Sequence, residues 1–237
     1  MKKFKRFAVY YAPEPGAFAD FAAAWLGWNA TLGRSVDMPV LPKLPIAWEQ
    51  IISTPSKYGF HGTIKPPFYL AEGCTLGQLE TDLALLADRL SSVELPRLAL
   101  QRPGGFLALV PKGDTAALSQ LAADVVQSLD HYRRPASPEE LLRRRAAGLT
   151  QTQDENLVRW GYPYVFQDFQ FHLTLSNRLS NDIAEAICKI LEPALLPLLP
   201  RPFAMRDLCL FGEDKMTGRF HLLHRYLLTG ANASTTA

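Results

Sequence analysis

The chain has 237 residues, 48% of them hydrophobic and 20% charged, with a formal net charge of +2. This composition supports a globular fold with a sizeable hydrophobic core and excludes a disordered chain. Basic and acidic residues nearly balance, which argues against a broad polyanion-binding surface and leaves room for a small anionic ligand held by local positive charge.

Aromatic and aliphatic β-formers over residues 4–12 predict an opening strand, ended by Pro13 and Pro15. Phe18, Phe21, Ala22, Trp25 and Leu26 recur at helical spacing between Gly16 and Trp28 and predict a helix. Residues 31–48, with Pro39, Pro42 and Pro45, read as connection, and Trp48 to Ser53 as a short strand or the approach to one. Lys57 to Ile64 predicts a strand that Pro66-Pro67 brings to an end. Thr75 is set to cap a helix reaching about Leu90, and Val93 to Leu100 and Phe106 to Val110 predict a strand pair. A helical pattern returns over 114–131. Ser137-Pro138-Glu139-Glu140 has the form of an N-cap, a proline at the first helical position and an acidic first turn. That helix runs through Arg143-Arg144-Arg145 to a break at Gly148, and another covers part of 151–160. Asp182 to Leu198 predicts a helix interrupted or bent around Glu192-Pro193. Two strands, Phe203–Phe211 and Arg219–Leu228, close the chain around a turn at Gly212-Glu213-Asp214-Lys215, and 231–237 reads as a flexible tail.

Cys74, Cys188 and Cys209 form no CxxC pair and no evident disulfide framework, the usage of buried thiols in a reducing cytoplasm. No apolar run approaches the roughly 20 residues of a spanning helix, so a cytoplasmic protein without membrane association is expected. The basic start, Met1 to Arg6, leads into strand formers rather than a signal peptide.

Two stretches carry the chemistry: Tyr58-Gly59-Phe60-His61-Gly62-Thr63-Ile64 and Phe169-Gln170-Phe171-His172-Leu173-Thr174-Leu175. Each sets a histidine two residues before a threonine, so on a strand the pair shares one face and the apolar neighbours share the other. Each is also followed by a helix and a strand pair, an order that predicts a duplicated α+β unit. The expected organisation is one bilobal domain over 1–230: lobe one at about 4–113, a helical connection at about 114–164, and lobe two at about 165–228. If the motif strands face one another across a cleft, two imidazoles can share acid and base work at one phosphorus. Thr63 and Thr174 can then hydrogen-bond its nonbridging oxygens. Such a set can hydrolyse a cyclic phosphodiester without a metal ion or cofactor, and no metal-ligand spacing accompanies it.

In these motifs the chain resembles the two-histidine (2H) phosphoesterase superfamily. It is also similar to the bacterial branch called domain of unknown function 1045, associated with phosphonate utilisation. Phe7 to Pro13, Tyr58 to Phe68 and Trp160 to Val165 carry that closer likeness. The resemblance implies an α+β fold of two lobes whose antiparallel sheets flank a central cleft. It also implies catalytic roles for His61 and His172 and phosphate-contact roles for Thr63 and Thr174. Gly62 departs from the usual aliphatic residue between histidine and threonine. Tyr58, Lys65, Tyr164 and Arg178 are further candidates for substrate binding; Lys65 is included because period two sets it on the face of Thr63. Arg143-Arg144-Arg145 reads as a solvated helical face, and His131, His221 and His224 lie outside the motif. The substrate favoured by the resemblance is a small ribose cyclic phosphate from phosphonate metabolism. An RNA-end 2′,3′-cyclic phosphodiesterase or ligase-like enzyme is the alternative, and a noncatalytic nucleotide or phosphosugar-binding module is the rival from another class. The order of acid and base, the regiochemistry and the oligomeric state are left open by the residues.

Overall fold

A computed structural model describes residues 3–230; the expected tail at 231–237 lies outside them. In chain order the elements are β1 (Phe4–Tyr11), α1 (Ala17–Leu26), β2 (Trp28–Asn29), β3 (Arg34–Ser35), α2 (Trp48–Ile52) and β4 (Gly62–Phe68). There follow α3 (Leu76–Ala87), β5 (Val93–Leu95), β6 (Arg97–Gln101), β7 (Phe106–Lys112), α4 (Ala116–Ser128), α5 (Pro138–Arg145) and α6 (Gln151–Trp160). The last are β8 (Leu173–Arg178), α7 (Asn181–Leu195), β9 (Phe203–Met205), β10 (Asp207–Asp214) and β11 (Phe220–Leu227).

Seven strands form one antiparallel sheet in the order β11-β10-β1-β4-β8-β7-β6, and β2–β3 and β5–β9 form two-stranded ribbons. This is an α+β architecture. The two motif strands, β4 and β8, are central neighbours. Each half of the sheet joins strands that precede the helices α4–α6 to strands that follow them. The hairpin β10–β11, which follows the second motif in the chain, extends β4 through β1, whereas β6–β7, which follows the first, lies against β8.

Alternation along β1 splits its side chains. Phe7, Val9 and Tyr11 join the main core with Trp25 of α1, Leu79 and Leu83 of α3, Leu118 and Val125 of α4, and Ile187 and Leu191 of α7. Ala8, Tyr10 and Ala12 join a smaller cluster on the other face with Phe211, Phe220 and Tyr58. Truncating a buried leucine of the main core to alanine is expected to cost about 2–5 kcal/mol. Trp25 also donates its indole N–H to the Leu175 carbonyl at 2.7 Å, tying α1 to β8.

Three local expectations are corrected. Trp48 to Ile52 is a helix, because its partners are distant in sequence: Trp48 donates to the Trp25 carbonyl, and Asn177 donates to the Gln50 carbonyl at the helix end. Pro66 and Pro67 lie inside β4 rather than ending the strand. They occupy an irregular stretch of its pairing with β1, between Lys65 and Phe68, and β4 meets β8 only at Gly62 and Leu173. Lacking N–H donors, the prolines do not extend that ladder, and β4 and β8 part beyond it. Gly212, Glu213 and Asp214 belong to β10, not to the turn.

Candidate active site

The parting strands leave a cleft of about 630 Å³, lined from β4 by Thr63, Pro66 and Pro67 and from β8 by Thr174, Ser176, Asn177 and Arg178. His61 lines it too. The single pair Gly62–Leu173 fixes the register: one residue either way, His61 stands across from Thr174 and Thr63 across from His172. In an antiparallel pair such diagonal neighbours as His61 and His172 are about 7–8 Å apart and share one face. The two motifs are thus related by a local twofold axis through Gly62 and Leu173.

The histidines are anchored alike. His61 Nδ1 lies 2.9 Å from the carbonyl of Gly59, and His172 Nδ1 lies 2.8 Å from the carbonyl of Gln170, in each case two residues upstream. A carbonyl only accepts, so both rings carry their hydrogen on Nδ1, and Nε2 is left for chemistry. Gly59 adopts φ +73° to present its carbonyl, a conformation that favours glycine.

The surroundings differ. His61 stacks on the buried Tyr10 ring at 4.0 Å between centroids and lies 5.6 Å from Tyr58, which itself stacks on Phe220. Burial pushes the His61 pKa down to about 4, with the nearby His172 acting in the same direction and the Gly59 bond opposing. His172 has Phe106, a cleft residue, at 5.4 Å. On the reverse side of the motif strands, the Phe171 ring covers Gly62 so closely that a Cβ there would sit 2.4 Å from it. This is the physical reason for glycine in place of an aliphatic residue between His61 and Thr63.

Of the other sequence candidates, Tyr58 and Arg178 line the cleft. Tyr164 does not, and is 43% exposed; its neighbour Tyr162 takes that place. Lys65 is only 1% exposed and points away from the cleft. It donates to the Val126 carbonyl and to Asp130 beneath α4. The pairing of β4 with β1 slips between Thr63 and Lys65, so strict alternation fails and Lys65 turns into the core side. Burial lowers its pKa to about 8, against the pull of Asp130.

Sequence reasoning missed Arg6, Tyr10, Phe106 and Tyr162, and read Arg144 of α5 as part of a solvated face although it lines the cleft. Arg6 is oriented by a hydrogen bond from Nε to the buried Glu213, whose carboxylate also lies near Lys57 and Lys5. Arg144 lies over the Tyr162 ring at 5.2 Å. Alternation along β1 sets Arg6 on the face of Tyr10 and was a usable signal for both; nothing local marked Arg144. The cleft therefore carries three arginines, three threonines (Thr54, Thr63 and Thr174) and His61, and no aspartate or glutamate lines it. Among the described residues no group of three or more His, Cys, Asp or Glu side chains is placed to hold a metal ion, and no helix is long and apolar enough to cross a membrane.

Residues 63–221 match the family described as "Protein of unknown function (DUF1045)". The chain is 36% identical over 179 residues to the ribose 1,5-bisphosphate phosphokinase PhnN of Laribacter hongkongensis (strain HLHK9), a match covering 73% of this chain and 40% of that protein. It is 31% identical over 191 residues to the protein of the same name from Janthinobacterium sp. (strain Marseille), covering 80% and 42%. The chain thus spans less than half the length of either relative. Similar solved structures include E. coli LigT complexed with ATP, at 16% identity and a TM-score of 0.42, covering 96% of this chain and 99% of that one. Another is TT0787 of Thermus thermophilus, at 15% identity and a TM-score of 0.41, covering 96% and 100%. The family match runs over most of the chain, from the threonine of the first motif through the second motif to β11: the protein belongs to the DUF1045 family.

Proposed function

We propose that the cleft hydrolyses a ribose-borne cyclic phosphodiester by acid–base catalysis shared between His61 and His172, without a metal ion. The observation that carries the reading is the matched Nδ1 anchoring of two imidazoles flanking one strand pair. It leaves two Nε2 atoms, related by a local twofold axis, for one phosphorus.

His61 is the base in this reading, because its burial disfavours the charged ring and keeps Nε2 unprotonated. Nε2 takes a proton from water as the water oxygen bonds to phosphorus. The ring P–O bond breaks, and protonated His172 delivers its Nε2 proton to the departing oxygen. The product is a phosphomonoester beside a free hydroxyl, and proton exchange with solvent resets both rings. Thr63 and Thr174 donate to the nonbridging oxygens as charge gathers there, and Arg6, Arg144 and Arg178 offset the negative charge of the bound diester.

A small ribose cyclic phosphate is the favoured substrate; the name ribose 1,5-bisphosphate phosphokinase on the longer relatives points to ribose phosphates. An RNA end bearing a 2′,3′-cyclic phosphate presents the same five-membered diester to the cleft, and is the alternative. Phosphorus NMR of the products from ribose, nucleoside and RNA-terminal cyclic phosphates separates these substrates. Ring opening that persists in both His61→Ala and His172→Ala overturns the mechanism; absence of turnover of every cyclic phosphate favours a binding module.

A further inference from the structure

Beside the cleft at Pro67 lies a side pocket of about 50 Å³ that shares Arg6, Pro67 and Arg144 with it. Arg133, Arg134 and Arg143 are added there, against one carboxylate, Glu140. Glu140 is already engaged, accepting from the Ser137 amide in the capping box of α5. Arg133 is also engaged, with Asp130 and the Arg159 carbonyl. Arg134, Arg143 and Arg144 form no ion pair with any described residue.

Arg134 is held ready rather than free to wander. Its amide donates to the Tyr69 carbonyl at 2.8 Å, and its guanidinium lies over the Tyr69 ring at 4.3 Å. Arg6 reaches the same ring at 5.9 Å. Guanidiniums gathered with so little counter-charge repel one another until an anion joins them. At about 50 Å³ the pocket is far smaller than the 630 Å³ cleft and has room for a small anion such as a phosphate group.

We propose that this side pocket is a second anion subsite, taking a phosphomonoester carried by the same molecule whose cyclic phosphodiester lies between His61 and His172. The inference rests on the phosphoesterase reading of the cleft and narrows its substrate to a sugar with two phosphates. Arg134, Arg143 and Arg144 bind the monoester, and Arg6, shared by both cavities, stands between the two phosphates.

Two measurements test it, the first independent of the reaction. Calorimetry follows binding of ribose 5-phosphate, which has the monoester but no cyclic ester, to the wild-type chain, Arg134→Gln and Arg134→Lys. Affinity about tenfold or more weaker in Arg134→Gln, and partly kept in Arg134→Lys, is the expected result for losing a charge-assisted contact. Equal binding by all three, or none by the wild type, overturns the subsite whatever the cleft catalyses. Ribose 1,2-cyclic phosphate with and without a 5-phosphate is then compared by turnover. A preference for the phosphorylated compound is expected, expressed in KM and reduced about tenfold or more in Arg134→Gln. Equal kcat/KM for the two compounds in the wild type overturns the proposal. Turnover of neither rejects the reading of the cleft, and with it the two-phosphate substrate, even where ribose 5-phosphate still binds. Tighter binding of an RNA oligonucleotide ending in a 2′,3′-cyclic phosphate, with a steep salt dependence, overturns it in favour of a polyanion track.

Discussion

The two His-x-Thr motifs share one backbone geometry and differ in what surrounds it. Both rings are pinned by Nδ1 to a carbonyl two residues upstream, yet His61 is packed against Tyr10 and near Tyr58, whereas His172 has Phe106 at the cleft wall. Strand register dictates where the imidazoles stand. Burial against Tyr10 disfavours the charged form of His61. One backbone arrangement thus holds two imidazoles in unlike surroundings.

Removing either ring is the strongest way to break the comparison. His61→Ala and His172→Ala should each lower kcat on a cyclic phosphate by about 10²- to 10⁴-fold while far-UV circular dichroism and melting temperature stay near wild type. Removing both should cost little more than removing one if the two rings act as one acid–base pair. Thr63→Ala and Thr174→Ala should each lose about 10- to 100-fold in kcat/KM, the effect of one hydrogen bond to a charged oxygen. Similar losses in the two variants would support the twofold relation; a loss in only one would break it.

Gly62→Ala tests the axis itself. The added methyl meets the buried Phe171 ring, so unfolding in denaturant should show a loss of about 1–3 kcal/mol. Phe171→Leu in the same chain should recover part of that loss by making room.

Acidity sharpens the contrast between the rings. In the unfolded chain His61 takes a proton below its ordinary pKa of 6.5, and in the folded chain only below about 4. Between those values the unfolded state binds more protons, so this residue makes stability fall as pH drops from 6.5 towards 4 and adds no further slope below. His61→Gln should flatten that part of the melting temperature against pH curve. The acid limb of kcat/KM should likewise lie below pH 6.5 in the free enzyme, provided His61 is the base. The smallest expected effect belongs to Lys65→Met. Lys65 faces α4, so stability should change by about 1–3 kcal/mol and kcat/KM by less than about twofold.

The parts of this fold legible in the sequence are those settled by near neighbours. Thr75 with Gln78, and Ser137 with Glu140, cap their helices as residue type and spacing predicted, since a capping box closes within three residues. The paired motifs were legible for a similar reason: period two sets a histidine and threonine on one face whatever lies beyond. The strand bulge that turns Lys65 inward was not, because it depends on how β1 registers against β4. Nor was the helix at Trp48, whose ends are held by Trp25 and Asn177. Arg144 looked like an ordinary solvated arginine, and only the packing of α5 beside Tyr162 brings it to the cleft.

The crossing of hairpins between the halves of the sheet has a mechanical consequence. A break in the chain between α5 and α6 would leave an amino-terminal fragment holding β6 and β7 without the β8 they border, and a carboxy-terminal fragment holding β10 and β11 without β1. Each piece keeps one outer hairpin of the sheet, and neither holds a contiguous half of it. Expressed apart, both fragments should be insoluble; expressed together, they should dock into one heterodimer, and turnover should return only with that reassembly.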